Sequence, residues 1–206
     1  MSDLTAQQVL DDLLAGNRRF VSHLDGGDGG PVTVMPQTLP STHAPRAIVL
    51  GCSDARVPAE LIFDQGLGDL FVIRVAGNVV APSQIGSIEF AAEEFGTPLV
   101  VVLGHSRCGA VRATLQALAH PESERSRNLG SIVDRIGPAI ADVAASCDGY
   151  GPVCEDLAVR ANIAASVRQL RSGSRIIERR LRDGRLLIAG AHYELETGRV
   201  TVLDAS

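Results

Sequence analysis

The chain has 206 residues, 45% hydrophobic and 21% charged, enough for one domain with a buried core. Its net charge of −5 supplies no basic footprint for a nucleic-acid backbone. All 19 cationic residues are arginine, which excludes a lysine nucleophile or a Schiff-base enzyme.

The N-terminus has no basic stretch followed by an apolar core, and no apolar run approaches a bilayer's thickness. A cytoplasmic protein that contacts no membrane is the expectation. The four cysteines should then be reduced, and metal binding or catalysis is a better use for them than a disulfide.

A first helix is expected from about Thr5, because Thr5 and Gln8 have capping-box spacing. Val9, Leu10, Leu13, Leu14, Phe20 and Val21 give it an apolar stripe, for which a partner subunit is as good a cover as the chain's own core. The glycine-rich stretch 25–31 and the Pro/Thr/Ser-rich segment up to 45 read as a connecting loop. This divides a single domain into an N-terminal helical arm (1–24), a loop (25–45) and a core (46–206).

In the core, 47–51 (AIVLG), 70–75 (LFVIRV), 99–104 (LVVVLG) and 186–190 (LLIAG) are short, nearly continuous apolar runs. Such runs suit strands buried on both faces. Ile85, Ile88, Ala92 and Phe95 recur at helical spacing with Ser83 as the expected N-cap, and 109–119 and 154–171 also read as helices. The predicted class is α/β: a mostly parallel central β-sheet flanked by helices.

In such a sheet, functional groups collect beyond the carboxyl ends of the strands. Cys52 directly follows the first run and His105 the third, with Cys108 three residues later. Two thiolates and an imidazole suit tetrahedral zinc with one position open, whereas a closed structural site would need a fourth ligand. Cys147 and Cys154 are candidates for that fourth ligand, but neither sits at a predicted strand end. Their seven-residue separation permits a disulfide, yet reduced thiols are expected in the cytoplasm. Spacing alone suits a small buried cysteine and a satisfied histidine as well as a metal site. Asp54 and Arg56 favour the metal, because a guanidinium fork would aim the carboxylate and keep it ionised beside the ion.

Cys52-Ser53-Asp54-Ala55-Arg56 and the segment 104–111 (GHSRCGAV) resemble the two signature segments of the β-class carbonic anhydrases. Residues 69–78 (DLFVIRVAGN), 87–91 (SIEFA) and 190–198 (GAHYELETG) are similar to further family segments in the same order. The resemblance implies one zinc ion per chain held by Cys52, His105 and Cys108, with Asp54 and Arg56 as the catalytic dyad. The implied reaction is reversible hydration of carbon dioxide to bicarbonate by zinc-bound hydroxide. It also implies a homodimer or homotetramer whose N-terminal helix reaches over the partner.

The implied pocket residues are Phe71, Ala76 and Phe90, with a backbone amide from Gly109. His43 stands where many members have glutamine and would add a proton-shuttling group. Gly77 and Asn78 are assigned to backbone geometry near the site. One subgroup binds inhibitory bicarbonate through an arginine after its Pro-Ala-Glu segment; here Pro58-Ala59-Glu60 is followed by Leu61, so that regulatory site should be absent. In that subgroup Asp54 would swing onto zinc in a closed resting form. Two other readings stand beside the main one: hydrolysis of carbon disulfide or carbonyl sulfide at the same zinc, and a non-catalytic zinc-stabilised interaction module.

Overall fold

The computed structural model describes residues 4–27, 43–147, 149 and 151–205. Most of the expected connecting loop, residues 28–42, lies outside the described residues, as do Asp148 and Tyr150 of the turn before Cys154.

Five strands, β1 (Ala47–Gly51), β2 (Leu70–Arg74), β3 (Leu99–His105), β4 (Leu187–Tyr193) and β5 (Val200–Ala205), form one sheet in the order β2-β1-β3-β4-β5. The first four are parallel, and β5 pairs antiparallel with β4. Every residue of β1 and β3 is buried, as their unbroken apolar runs require of strands covered on both faces. The fourth strand starts one residue later than its apolar run and continues three residues beyond it, carrying His192 and Tyr193 to the sheet's carboxyl edge.

One face carries Ile48, Leu50, Val100, Val102 and Ile188 and is covered by five helices: α3 (Pro82–Glu94), α4 (Gly109–Ala119), α5 (Arg127–Ser146), α6 (Pro152–Ser172) and α7 (Arg175–Arg182). The other face carries Val49, Leu99, Val101, Leu103 and Ala191, under α1 (Ala6–Leu24) and the short α2 (Ala59–Ile62). Helix α3 is capped differently from expectation. Its N-cap is Ala81, followed by Pro82, whose ring presets helical φ; the Ser83 hydroxyl bonds to Gln84 instead.

The capping box of α1 is present, with Thr5 and Gln8 satisfying each other's backbone amides. Val9, Leu10 and Leu13 are buried on the chain's own sheet, while Leu14, Phe20 and Val21 of the same stripe stay partly exposed. Asn17 fixes the arrangement: its amide donates to the carbonyls of Ile62 (3.1 Å) and Gly198 (2.8 Å) and accepts from the Val200 amide (2.8 Å). One buried side chain thus ties α1 to the end of α2 and the start of β5. Gly16, beside it, permits the close approach, since a Cβ there would collide with the Phe63 carbonyl.

The expectation of free thiols at Cys147 and Cys154 is corrected. The two form a disulfide across 6.1 Å between Cα atoms. The physical reason is local: Cys147 caps the end of α5 and Cys154 lies in the first turn of α6, so the packing of α5 against α6 brings the two side chains together.

Candidate metal centre

Cys52 lies just past β1, His105 ends β3, and Cys108 is the N-cap of α4; all three are buried. The Sγ atoms and a ring nitrogen of His105 lie within 4.8 Å of one another. The chain returns from His105 to Cys108 through Arg107, a non-glycine residue in the left-handed region (φ 56°), and this tight turn puts two ligands on one side of the loop.

The histidine tautomer follows from its partner. Nδ1 lies 2.9 Å from the carbonyl oxygen of Ser106, which only accepts, so Nδ1 carries the proton. Nε2 therefore has a lone pair, is buried, and has no hydrogen-bond partner. A buried acceptor left unsatisfied next to two thiols is what a soft or borderline cation would complete.

One thiol hydrogen-bonds to the other, and the two shift in opposite directions. Cys52 is drawn well below its ordinary range, first by the hydrogen bond from the Cys108 thiol and further by His105 and the Gly77 amide, 3.3 Å from Sγ. Cys108 is pushed upward, first because its proton is held by Cys52 and then by burial. A cation between them would reverse the second effect and ionise both.

Asp54 and Arg56 form the expected fork, with Nε to Oδ1 at 2.9 Å and Nη2 to Oδ2 at 2.7 Å. The Arg56 hydrogen bonds hold the Asp54 carboxyl well below the usual carboxylate range. Its Oδ2 lies 3.9 Å from His105 Nε2, so the ionised carboxylate faces the centre of the three ligands.

Three supports escaped the sequence reading. Arg74, at the end of β2, donates to the carbonyls of Cys52 (3.0 Å) and Asp54 (2.5 Å), holding the backbone of the ligand loop. Asn162 and Ser166 on α6 donate to the carbonyls of Gly77 (2.8 Å) and Asn78 (3.2 Å), fixing the turn whose amide meets Cys52. Gly77 itself has φ 70°, and a Cβ there would strike Ile136, so glycine is required. On the third side, the Ser106 hydroxyl donates to Glu194 (2.6 Å) and accepts from the Leu195 amide (3.0 Å), tying the His105–Cys108 loop to the segment after β4. Asn162 and Ser166 stand one turn apart on an otherwise apolar helix face, a spacing that could have marked them.

The expected pocket residues fall into two groups. Ala76 opens the 3-10 turn that carries Gly77, and Gly109 directly follows the candidate ligand Cys108. His43, Phe71 and Phe90 lie together elsewhere, with Phe95, at the open edge of the sheet formed by β2. His43 stacks on Phe71 (centroids 5.9 Å) and tilts against Phe95 (4.8 Å), while Phe90 meets Phe95 edge-on (5.4 Å). Leu61 is exposed on α2.

Fold and site define a class: a mostly parallel α/β protein whose Cys52, His105 and Cys108 could hold a metal ion, with a clamped carboxylate beside them. The comparisons with known proteins narrow this. A family model described as carbonic anhydrase matches residues 47–200. Carbonic anhydrase 2 of Mycobacterium tuberculosis is 37% identical over 194 residues, covering 93% of this chain and 90% of its own. A carbonic anhydrase of Mycolicibacterium smegmatis is 42% identical over 187 residues, covering 90% and 87%. Among solved structures, a tetrameric β-carbonic anhydrase of Sordaria macrospora shares the fold, with TM-score 0.70 at 22% identity and coverage of 80% and 84%.

The chain belongs to the β-class carbonic anhydrase family. It is therefore an enzyme of the lyase class. No helix among the described residues is long and apolar enough to cross a membrane.

Proposed function

We propose that the chain hydrates carbon dioxide reversibly at one zinc ion held by Cys52, His105 and Cys108. The observation that carries this reading is the unsatisfied, buried Nε2 of His105 facing two thiols, one of them already inclined to ionise. Zinc bound there would supply a water acidic enough to lose its proton near neutral pH.

The chain's own residues do the rest. Asp54, kept ionised and aimed by Arg56, accepts a hydrogen bond in one direction and so orients the nucleophile's lone pair. Because Arg56 occupies both of its oxygens, closing onto the metal requires Asp54 to break that fork; the resting form is the proposed alternative state. The Gly109 amide is proposed to bind a substrate oxygen, and Ala76 to form an apolar wall of the pocket. Excluding water there strengthens each of these contacts.

His43, Phe71 and Phe90 are proposed as pocket residues completed by self-association. Phe90 is 54% exposed, and among the described residues β2 pairs on one side only, with β1. An aromatic patch along an open edge favours a second copy of this chain as its cover, giving a homodimer or homotetramer. The apolar Leu61 supports the proposed absence of a bicarbonate-binding regulatory site.

A stopped-flow hydration assay on the zinc-replete protein tests the reading. Rapid proton release on mixing with carbon dioxide is expected, falling by orders of magnitude in Asp54→Asn while zinc content is retained. Zinc-replete protein without hydration activity, or with hydrogen sulfide release from carbonyl sulfide as its sole activity, overturns it.

A further inference from the structure

A second group of metal-ligating side chains stands at the same edge of the sheet, outside the cysteine centre. Asp156 of α6, His192 of β4 and Glu194 just beyond β4 offer ligand atoms within 4.8 Å of one another. His192 and Glu194 are two residues apart, so they leave the strand on the same side, toward α6. We propose that Asp156, His192 and Glu194 bind a second divalent transition-metal cation.

His192 carries the argument. Its side chain is 3% exposed, and its Nε2 has no hydrogen-bond partner. Asp156 Oδ1 lies only 3.1 Å away, yet no hydrogen bond joins the two. Two ligands that share a tetrahedral zinc at its usual bond lengths sit roughly 3.3 Å apart, without a proton between them. The pair already has that spacing.

The carboxylates are prepared for the same role. Arg160, one turn along α6, engages Asp156 through Oδ2 at 2.7 Å, which leaves Oδ1 turned to His192. Glu194 makes both its bonds, from the Ser106 hydroxyl and the Glu196 amide, through Oε1. Ligation through Oε2 would break neither. Nearby Glu155 is matched by Arg112 and Glu196 by Arg107, so Glu194 leaves the group one negative charge in excess. A cavity of about 360 Å³ between Ser106, Asp156 and Glu194 gives a hydrated ion access. One imidazole with two carboxylates favours a borderline cation such as zinc over calcium or magnesium, which take oxygen ligands alone.

This site bears on the first one. Glu194 receives the Ser106 hydroxyl, and Ser106 directly follows the ligand His105. A cation drawing on Glu194 would stiffen the loop between His105 and Cys108 without touching the thiols.

Equilibrium dialysis of the whole protein against micromolar zinc, followed by elemental analysis, tests the proposal. Wild type is expected to hold two zinc ions per chain, and Asp156→Asn and His192→Gln one each. Anomalous difference density at the zinc edge should show the second ion between Asp156, His192 and Glu194. Should His192→Gln fail to fold, as judged by circular dichroism, Asp156→Asn carries the comparison alone. A wild type holding one ion at the cysteines overturns the proposal. So does a second ion retained by the variants, since it must then lie elsewhere.

Discussion

Arg74 is the support whose removal is most informative, because it touches no metal ligand's side chain. Its Nε and Nη2 hold the carbonyls of Cys52 and Asp54, one proposed ligand and one half of the proposed dyad, from the neighbouring strand. Arg74→Met keeps the aliphatic stem and deletes both bonds. A hydrogen bond from a charged donor contributes about 2 kcal/mol when shielded; Arg74 is exposed, so about 1 kcal/mol each is reasonable, or about 2 kcal/mol together. At about 1.4 kcal/mol per tenfold, zinc affinity should fall roughly 30-fold, with turnover reduced in the zinc-saturated enzyme because Asp54 is less well aimed. Competition with a chromophoric chelator gives the affinity, and stopped-flow hydration at saturating zinc gives the turnover. If both match wild type, the loop is held by something else and the reasoning fails.

Two further outcomes follow from the same structure. The Cys147–Cys154 disulfide closes a short loop, and chain entropy gives it about 2.5 kcal/mol. Replacing both cysteines by serine should lower the oxidised protein's denaturant midpoint to that of the reduced wild type, and equal midpoints in all forms would count against the bond. Burial, followed by the charge of Arg160, pulls His192 below the ordinary imidazole value. As pH falls below about 6.5 the unfolded chain therefore takes up the proton first, and the metal-free protein loses stability until the lowered folded value is passed. Melting temperatures across this window should show a shallower slope in His192→Gln; parallel slopes would refute the assignment.

The sequence was most informative where one residue type answers one local demand. Unbroken apolar runs marked the buried strands, and Cys52, His105 and Cys108 fell at their carboxyl ends before any coordinate was known. The Asp54–Arg56 fork was equally legible, since its two members are separated by a single turn residue. Contacts made across the fold were not. Arg74, Asn162 and Ser166 serve the site through backbone carbonyls, and a carbonyl leaves no trace in residue identity. Helix α5 went unread because Gly130, Gly137 and Pro138 punctuate it, yet its apolar face against α4 and α6 outweighs those breakers. The disulfide was argued away from the compartment expected, whereas the packing of α5 against α6 places the two cysteines side by side.

Asn17 has a consequence for the order in which the molecule assembles. Its three backbone bonds reach to Ile62, Gly198 and Val200, across 45, 181 and 183 positions of chain. On the ribosome, α1 emerges long before its anchor near β5, since Asn17 precedes Gly198 and Val200 by 181 and 183 residues. The bonds to Gly198 and Val200 can form only once the β4–β5 segment has been made, whereas Val9, Leu10 and Leu13 also share their core with residues of β1 and β3. Chaperone dependence during translation should therefore be greatest for α1 in the interval before its distal anchors exist.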